Sequence, residues 1–280
     1  MDKQVISIDK VSENIKRIVI KSRYISDKAL PGQFLVLMTN EQSERIPLTI
    51  VSADKTDETI TLIFQEAGFS TKELGRVIPG DRLFSLAGPL GHATHIDKLG
   101  RVILVGGGVG IAEIYPVAKA FKDVGNEVTV IVGGRNKDLL ILKDEIATVA
   151  DRFILMTDDG SYGRKGYTTD ALSELLKEEK DCRLVYAVGP VLMMQRVAGI
   201  TEKYKVKTLV SLNTLMVDGT GMCGCCRVKI GNEIRFACVD GPEFDAHEVD
   251  WQELIWRNST YIEQEEHICR LDLKLKGVDS

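Results

Sequence analysis

The chain has 280 residues, 44% of them hydrophobic and 28% charged, with a formal net charge of -5. That length and balance suit a soluble globular protein of about two domains. An acidic chain without a basic block tells against nucleic acid as a partner, no apolar run is long enough to span a membrane, and the opening Met1-Asp2-Lys3-Gln4 does not read as a signal peptide.

Residues 1–98 read as a small all-β unit. From Val5 to Leu86, short β-type runs are separated by turn chemistry such as Leu30-Pro31-Gly32 and Pro79-Gly80-Asp81. Ile60, Leu62 and Phe64 alternate with Thr59 and Thr61, the period of a half-buried strand, although Ile63 blurs it. Several short strands without helical periodicity predict a β-barrel. Within it, Arg45-Ile46-Pro47-Leu48-Thr49 places a cation and a hydroxyl beside a rigid proline. Such a group can hold a flavin, with Arg45 toward phosphate and Thr49 toward the ring edge; a plain surface strand has the same composition. Gly68-Phe69-Ser70-Thr71 offers backbone and hydroxyl donors to a pyrophosphate, or is a simple turn.

Past Gly88-Pro89-Leu90-Gly91 the pattern changes, and residues 99–210 read as a nucleotide-binding α/β unit. Val102-Ile103-Leu104-Val105 is a continuous apolar run, as in a strand buried on both faces. It feeds Gly106-Gly107-Gly108-Val109-Gly110 and then a helical stretch to about Val124. Strand, glycine turn and helix together put phosphates on a helix N-terminus. Val128–Val132, Phe153–Met156 and Leu184–Val188 are further strands, with a helix from Thr169 to Lys180 among the intervening segments. The alternation predicts a doubly wound, mostly parallel sheet. The loops after its strands, at Gly134-Arg135, Asp158-Asp159-Gly160 and Gly189-Pro190, are candidate ligand loops. The second strand ends in Gly133-Gly134-Arg135, where an ordinary dehydrogenase carries an acid for the adenosine ribose, and Arg135 leaves NAD and NADP both open.

Residues 211–280 carry five of the six cysteines, four of them within sixteen residues, and three of these are spaced with an aspartate as D-x4-C-x2-C-x11-C: Asp218, Cys223, Cys226 and Cys238. Plant-type [2Fe–2S] sites use C-x4-C-x2-C and a distant fourth cysteine; here aspartate takes the first place. Gly219, Gly221 and Gly224 let the loop wrap closely around a small cluster. Tetrahedral zinc and a plain cluster of reduced cysteines are the competing readings. Clustered cysteines of this kind suit a reducing compartment, so the expected location is cytoplasmic. Trp251, Trp256 and Tyr261 read as local packing around this loop or as a contact surface, and Leu271, Leu273 and Leu275 alternate with polar residues through Lys276 as a short strand. No acid–base pair has spacing that suggests a catalytic dyad.

The order of barrel with R-x-P-L-T, nucleotide unit with G-G-G-V-G and a C-terminal cysteine loop resembles the ferredoxin–NADP reductase superfamily, in particular the branch holding the electron-transfer subunit of dihydroorotate dehydrogenase B. The run Met216 to Val228, with Cys238 to Asp245, is most similar to the small subunits of NADH-dependent reduced ferredoxin:NADP oxidoreductases, also called sulfide dehydrogenase subunits. The resemblance covers essentially the whole chain. It implies FAD in the first domain, held by Arg45, Pro47, Leu48, Thr49, Gly68, Ser70 and Thr71, with Ser70 where a second glycine is common. It implies NAD(H) as substrate in the second, at Gly107, Gly108, Val109, Gly110, Asp158, Asp159, Gly160, Gly189 and Pro190, with Glu113 where a proline is usual. It further implies a [2Fe–2S] cluster on Asp218, Cys223, Cys226 and Cys238, and a larger flavoprotein partner with a second FAD and [4Fe–4S] clusters, through which ferredoxin is reached and electrons are bifurcated. The alternatives are the electron-transfer subunit of an NAD-dependent dihydroorotate dehydrogenase, whose first ligand is cysteine, and a zinc-stabilised nucleotide-binding regulator.

Overall fold

Val5, Ile18, Ile20, Leu35, Leu37, Ile60, Leu62 and Phe64 share one apolar core, and the strands that carry them build the first part of the molecule. The computed structural model describes residues 2–275, with side chains as far as Leu271. In order come β1 (Val5–Ser12), β2 (Ile15–Lys21), α1 (Arg23–Lys28), β3 (Phe34–Met38), β4 (Ile46–Thr49), β5 (Ser52–Asp54), β6 (Thr59–Gln65), α2 (Phe69–Leu74) and β7 (Ser85–Leu90). They form two antiparallel sheets, β1-β2-β6-β5 and β4-β3-β7, around that core. The blurred alternation of β6 has a simple cause. Ile60, Leu62 and Phe64 fill the barrel, while Ile63, 4% exposed, packs with Ile15 and Val51 against the core of the next domain.

The continuous apolar runs become the centre of the second sheet. β8 (Arg101–Gly107), α3 (Ile111–Asp123), β9 (Glu127–Gly134), α4 (Lys143–Ala147), β10 (Arg152–Thr157), β11 (Arg164–Lys165), α5 (Thr168–Glu178), β12 (Cys182–Val188), α6 (Val191–Tyr204) and β13 (Thr208–Ser211) follow. Val102 and Leu104 of β8 face α3 through Ile111, Ile114, Val117 and Phe121, whereas Ile103 and Val105 join the core with Leu172 and Leu175 of α5 and Met194 and Val197 of α6. The sheet is therefore wound on both faces. Each such fully buried side chain stabilises the fold by roughly 1.5–3 kcal/mol.

The last segment holds β14 (Arg227–Ile230), β15 (Glu233–Phe236), β16 (Glu243–Asp245), α7 (Trp251–Asn258) and α8 (Ile262–Leu275). The large sheet has the order β11-β10-β9-β8-β12-β13-β16, parallel except for β16, which runs antiparallel to β13. Its register pairs Ser211 with Glu243, so the C-terminal segment completes the nucleotide-domain sheet across the division we propose at residue 210. That pairing puts Glu243 at the carboxyl end of the sheet, where ligands of open α/β sheets bind.

The strand expected at Leu271, Leu273 and Leu275 is instead the end of helix α8, and Lys276 lies outside the described residues. The segment is rich in Glu, Leu and Lys, which favour helix, and extending a helix already begun at Ile262 costs far less than starting a new element. The aromatic residues before it divide. Trp251 packs on the core and donates its indole N–H to the Ala246 carbonyl at 3.1 Å, while Trp256 and Tyr261 are exposed.

Candidate functional site

The carboxyl ends of the parallel strands open onto a cavity of about 1000 Å³, whose facing wall is strand β4 of the barrel. Pro47, Leu48, Thr49 and Thr71 line it on the barrel side; Gly107, Gly108, Val109, Gly110, Gly134, Arg135, Asp158, Gly189 and Pro190 line the other. Five of the residues expected at the site are not in this wall. Arg45 is exposed, Gly68 caps α2 with its N–H on the Thr71 hydroxyl at 3.1 Å, and the Ser70 hydroxyl donates to Glu44. Asp159 closes its own turn, accepting the Ser161 N–H at 2.8 Å, and neighbouring Gly160 is exposed.

The glycine turn is dictated by close approach. A Cβ on Gly110 would lie 2.8 Å from the Val188 carbonyl oxygen, so only glycine lets α3 begin against the end of β12. The N–H groups of the Gly108–Gly110 turn that opens α3 and the helix dipole there suit a phosphate. Arg135, at the end of β9, faces both this cavity and an adjoining groove of about 640 Å³. With apolar Leu48 and Val109, the hydroxyl of Thr49 and these anion-binding groups, the wall fits FAD and a nicotinamide dinucleotide.

The structure adds a set of groups that sequence patterning missed. Tyr186 of β12, fully buried, has its hydroxyl 2.8 Å from Glu113 Oε1 and 2.8 Å from Glu243 Oε1. The Thr49 hydroxyl donates to Glu113 Oε2 at 3.0 Å, and the Thr94 hydroxyl donates to Glu243 Oε1. Burial raises the pKa of Glu113, against the opposing hydrogen bonds of Ser211, Tyr186 and Thr49. Burial also pushes Glu243 up to about 7, with Thr94 and Tyr186 acting against it and the Glu113 charge adding to it. The one signal in the sequence was Glu113 itself, an acid in an otherwise apolar helix start.

The cysteine loop leads directly from the cavity, since Asn213 and Met216 line it two to five residues before Asp218. Gly219, Gly221 and Gly224 hold φ of +76°, +80° and +69°, the left-handed region that lets the loop fold back on itself. Cys226 and Cys238 are 1% exposed and face each other with Sγ atoms 3.2 Å apart in the same core as Val228 and Ala237. Burial, with Cys226 alongside, pushes the Cys238 thiol up to about 12. Cys223 is exposed, and Asp218 accepts the N–H groups of Thr220 and Cys223, each at 2.8 Å, which hold its carboxyl below the usual range. Among the described residues no three acidic, cysteine or histidine side chains converge on one point. In kind and number, two buried thiols, one exposed thiol and a carboxylate on a glycine loop suit a [2Fe–2S] cluster. Asp218→Cys is expected to keep two iron per chain while shifting the cluster's potential and reduced-state spectrum; superimposable redox titrations of variant and parent would show that Asp218 is no ligand.

Residues 213–250 match the iron–sulfur cluster binding domain of dihydroorotate dehydrogenase B, and residues 104–199 match the oxidoreductase NAD-binding domain. These matches favour iron–sulfur over zinc for the loop. The dihydroorotate dehydrogenase B (NAD(+)) electron transfer subunit homolog of Thermotoga maritima is 44% identical over 98% of this chain and 96% of its own. The probable electron transfer subunit of Methanocaldococcus jannaschii is 34% identical over 87% of this chain and 90% of its own. A chain from the structure of the NADH-dependent reduced ferredoxin-NADP oxidoreductase, described there in terms of flavin-based electron bifurcation, superposes with a TM-score of 0.92 at 42% identity, covering 98% of both chains. With relatives this similar along nearly its whole length, the chain belongs to the family of oxidoreductase electron-transfer subunits that includes those of dihydroorotate dehydrogenase B and of NADH-dependent reduced ferredoxin–NADP oxidoreductase.

Proposed function

We propose that this chain is the electron-transfer flavoprotein subunit of an electron-bifurcating, NADH-dependent ferredoxin:NADP oxidoreductase, passing electrons between NAD(H), FAD and a [2Fe–2S] cluster. The observation that carries the reading is continuity: the wall of the dinucleotide cavity runs through Asn213 and Met216 into the cysteine loop at Asp218. When bound, FAD supplies the exchange between hydride and single-electron chemistry. The chain's residues bind and orient. Gly107, Gly108, Val109 and Gly110 present backbone to the dinucleotide phosphates, with Gly134, Arg135, Asp158, Asp159 and Gly160 toward its adenosine end and Gly189 and Pro190 toward the nicotinamide. Pro47, Leu48 and Thr49 hold the flavin ring and Thr71 its phosphates, while Arg45, Gly68 and Ser70, outside the cavity wall, are assigned to the phosphates on the resemblance alone. Asp218, Cys223, Cys226 and Cys238 hold the cluster.

An electron-transfer subunit works with a larger partner subunit. We assign that partner a second FAD and [4Fe–4S] clusters, with ferredoxin reached through it. Met222, 89% exposed, and the exposed Val217 and Val239 surround the cysteine loop with apolar surface suited to such a contact. Six free cysteines favour a cytoplasmic setting, and among the described residues no helix is long and apolar enough to cross a membrane. The names of the relatives favour a second reading, the electron-transfer subunit of a dihydroorotate dehydrogenase. Asp218 in the place of its first cysteine ligand stands against that.

The deciding experiment is iron, acid-labile sulfide and flavin content after anaerobic purification. About two iron, two sulfide and one FAD per chain are expected for a [2Fe–2S] flavoprotein. Zinc without sulfide or flavin would overturn the reading, and copurification with a dihydroorotate-oxidising chain would select the second.

A further inference from the structure

Glu113, Tyr186 and Glu243 cannot all keep their ordinary protonation. A tyrosine hydroxyl has one proton to donate, and an ionised carboxylate can only accept. Yet the Tyr186 hydroxyl is 2.8 Å from an oxygen of each carboxyl group. Both contacts are hydrogen bonds only if one carboxyl is protonated and donates to the tyrosine oxygen while the tyrosine donates to the other. Two ionised carboxylates so placed, one of them buried and neither beside a cation, would repel each other strongly. Thr49 (β4), Tyr186 (β12) and Ser211 (β13) face Glu113; Thr94, Tyr186 and Glu113 face Glu243; among the described residues no cation is one of these neighbours. The trio therefore holds one shared proton.

Its position gives that proton a use. Glu113 lines the dinucleotide cavity and is 6% exposed, Tyr186 lies behind it with no exposure, and Glu243 is the more exposed of the two acids. Oxidation of NADH by one-electron carriers releases NAD+, two electrons and one proton. A cluster held by Asp218, Cys223, Cys226 and Cys238 would take up electrons alone, so the proton would be left in the cavity. We propose that Glu113, Tyr186 and Glu243 form an acid–phenol–acid relay that carries this proton out of the cavity, with Glu113 its inner end and Glu243 its outer end. An O–H bond forms at Glu113 as the Tyr186 proton and the shared proton each shift by one hydrogen bond, and an O–H bond breaks at Glu243, which returns a proton to water. No electrons move along the chain of groups, and the sequence runs backward when the reaction does. The relay rests on the reading of the cavity as the place where NAD(H) meets FAD.

The test uses the anaerobically purified holoprotein. It is reduced with NADH and then mixed with ferricyanide in weak buffer containing a pH indicator, so that flavin reoxidation and proton release are followed together. In the parent protein the two are expected in step. In Glu113→Gln, Tyr186→Phe and Glu243→Gln, proton release and reoxidation are expected to slow by on the order of a hundredfold, the scale of a lost proton-transfer group, and by much more than flavin reduction slows. Infrared spectra of the oxidised holoprotein at neutral pH are expected to contain a deuterium-sensitive carboxylic acid band that is lost in Glu243→Gln or Glu113→Gln. Release and reoxidation that keep the parent's rates in the variants, or slow no more than flavin reduction does, or a parent without that band, overturn the relay. If Tyr186→Phe does not fold, the two glutamine variants, which keep size and hydrogen bonding, decide. A parent whose flavin is not reduced by NADH although the band is present overturns the functional reading instead, and the relay's role with it.

Discussion

Cys226→Ala is expected to abolish the cluster while leaving the flavin. The Cys226 thiol is 1% exposed and lies 3.2 Å from the Cys238 thiol, so its removal takes away half of the buried donor pair. Neighbouring Cys225 cannot replace it without reversing the side-chain direction at the start of β14, which would pull Val228, fully buried, out of the core. Iron and sulfide should fall from about two of each per chain to near zero, with FAD unchanged. NADH should still bleach the flavin, but electrons should no longer reach an acceptor through the cluster. Iron and sulfide analysis beside the visible spectrum checks this, and a variant that retains both in full would remove Cys226 from the ligand set.

Gly110→Val is expected to raise the dissociation constant for NADH on the order of a hundredfold, about 2.7 kcal/mol at roughly 1.4 per decade. A Cβ there would stand 2.8 Å from the Val188 carbonyl oxygen, 2.9 Å from its carbon and 3.0 Å from the Gly189 nitrogen, all backbone atoms. Main chain at the end of a central strand cannot step aside as a flexible side chain would, so the start of α3 must move instead. That start carries the N–H groups assigned to the dinucleotide phosphates. Binding titrations with NADH, with circular dichroism to confirm the fold, measure the effect. An affinity within threefold of the parent would show that the phosphates are held elsewhere.

Much of this molecule was legible in one dimension because its elements announce themselves locally. The apolar run Val102–Val105 became β8, and the helix expected from Thr169 to Lys180 is α5, Thr168–Glu178. The short strands on the C-terminal side of the sheet were not legible. β13 (Thr208–Ser211) and β16 (Glu243–Asp245) have only four and three residues, too few to establish a period, and they are strands because neighbours offer them hydrogen bonds. The tail failed in the opposite way: alternating leucines after Arg270 satisfied a strand pattern, yet among the described residues no strand pairs with them and the helix simply continues.

The sequence by itself determined the division of labour along the chain: a barrel, a glycine-turn nucleotide unit and a cysteine loop with aspartate in first place. These are set by residue type at short spacing, which folding does not alter. Only the tertiary structure decided what meets what. Thr49, Thr94, Glu113, Tyr186 and Glu243 are spread over 195 positions of sequence, yet hydrogen bonds join them in one buried cluster. No local pattern encodes such a meeting, because it depends on β4 closing over the sheet and on β16 returning antiparallel to β13. The protonation of those carboxyl groups depends in turn on the burial that this packing creates.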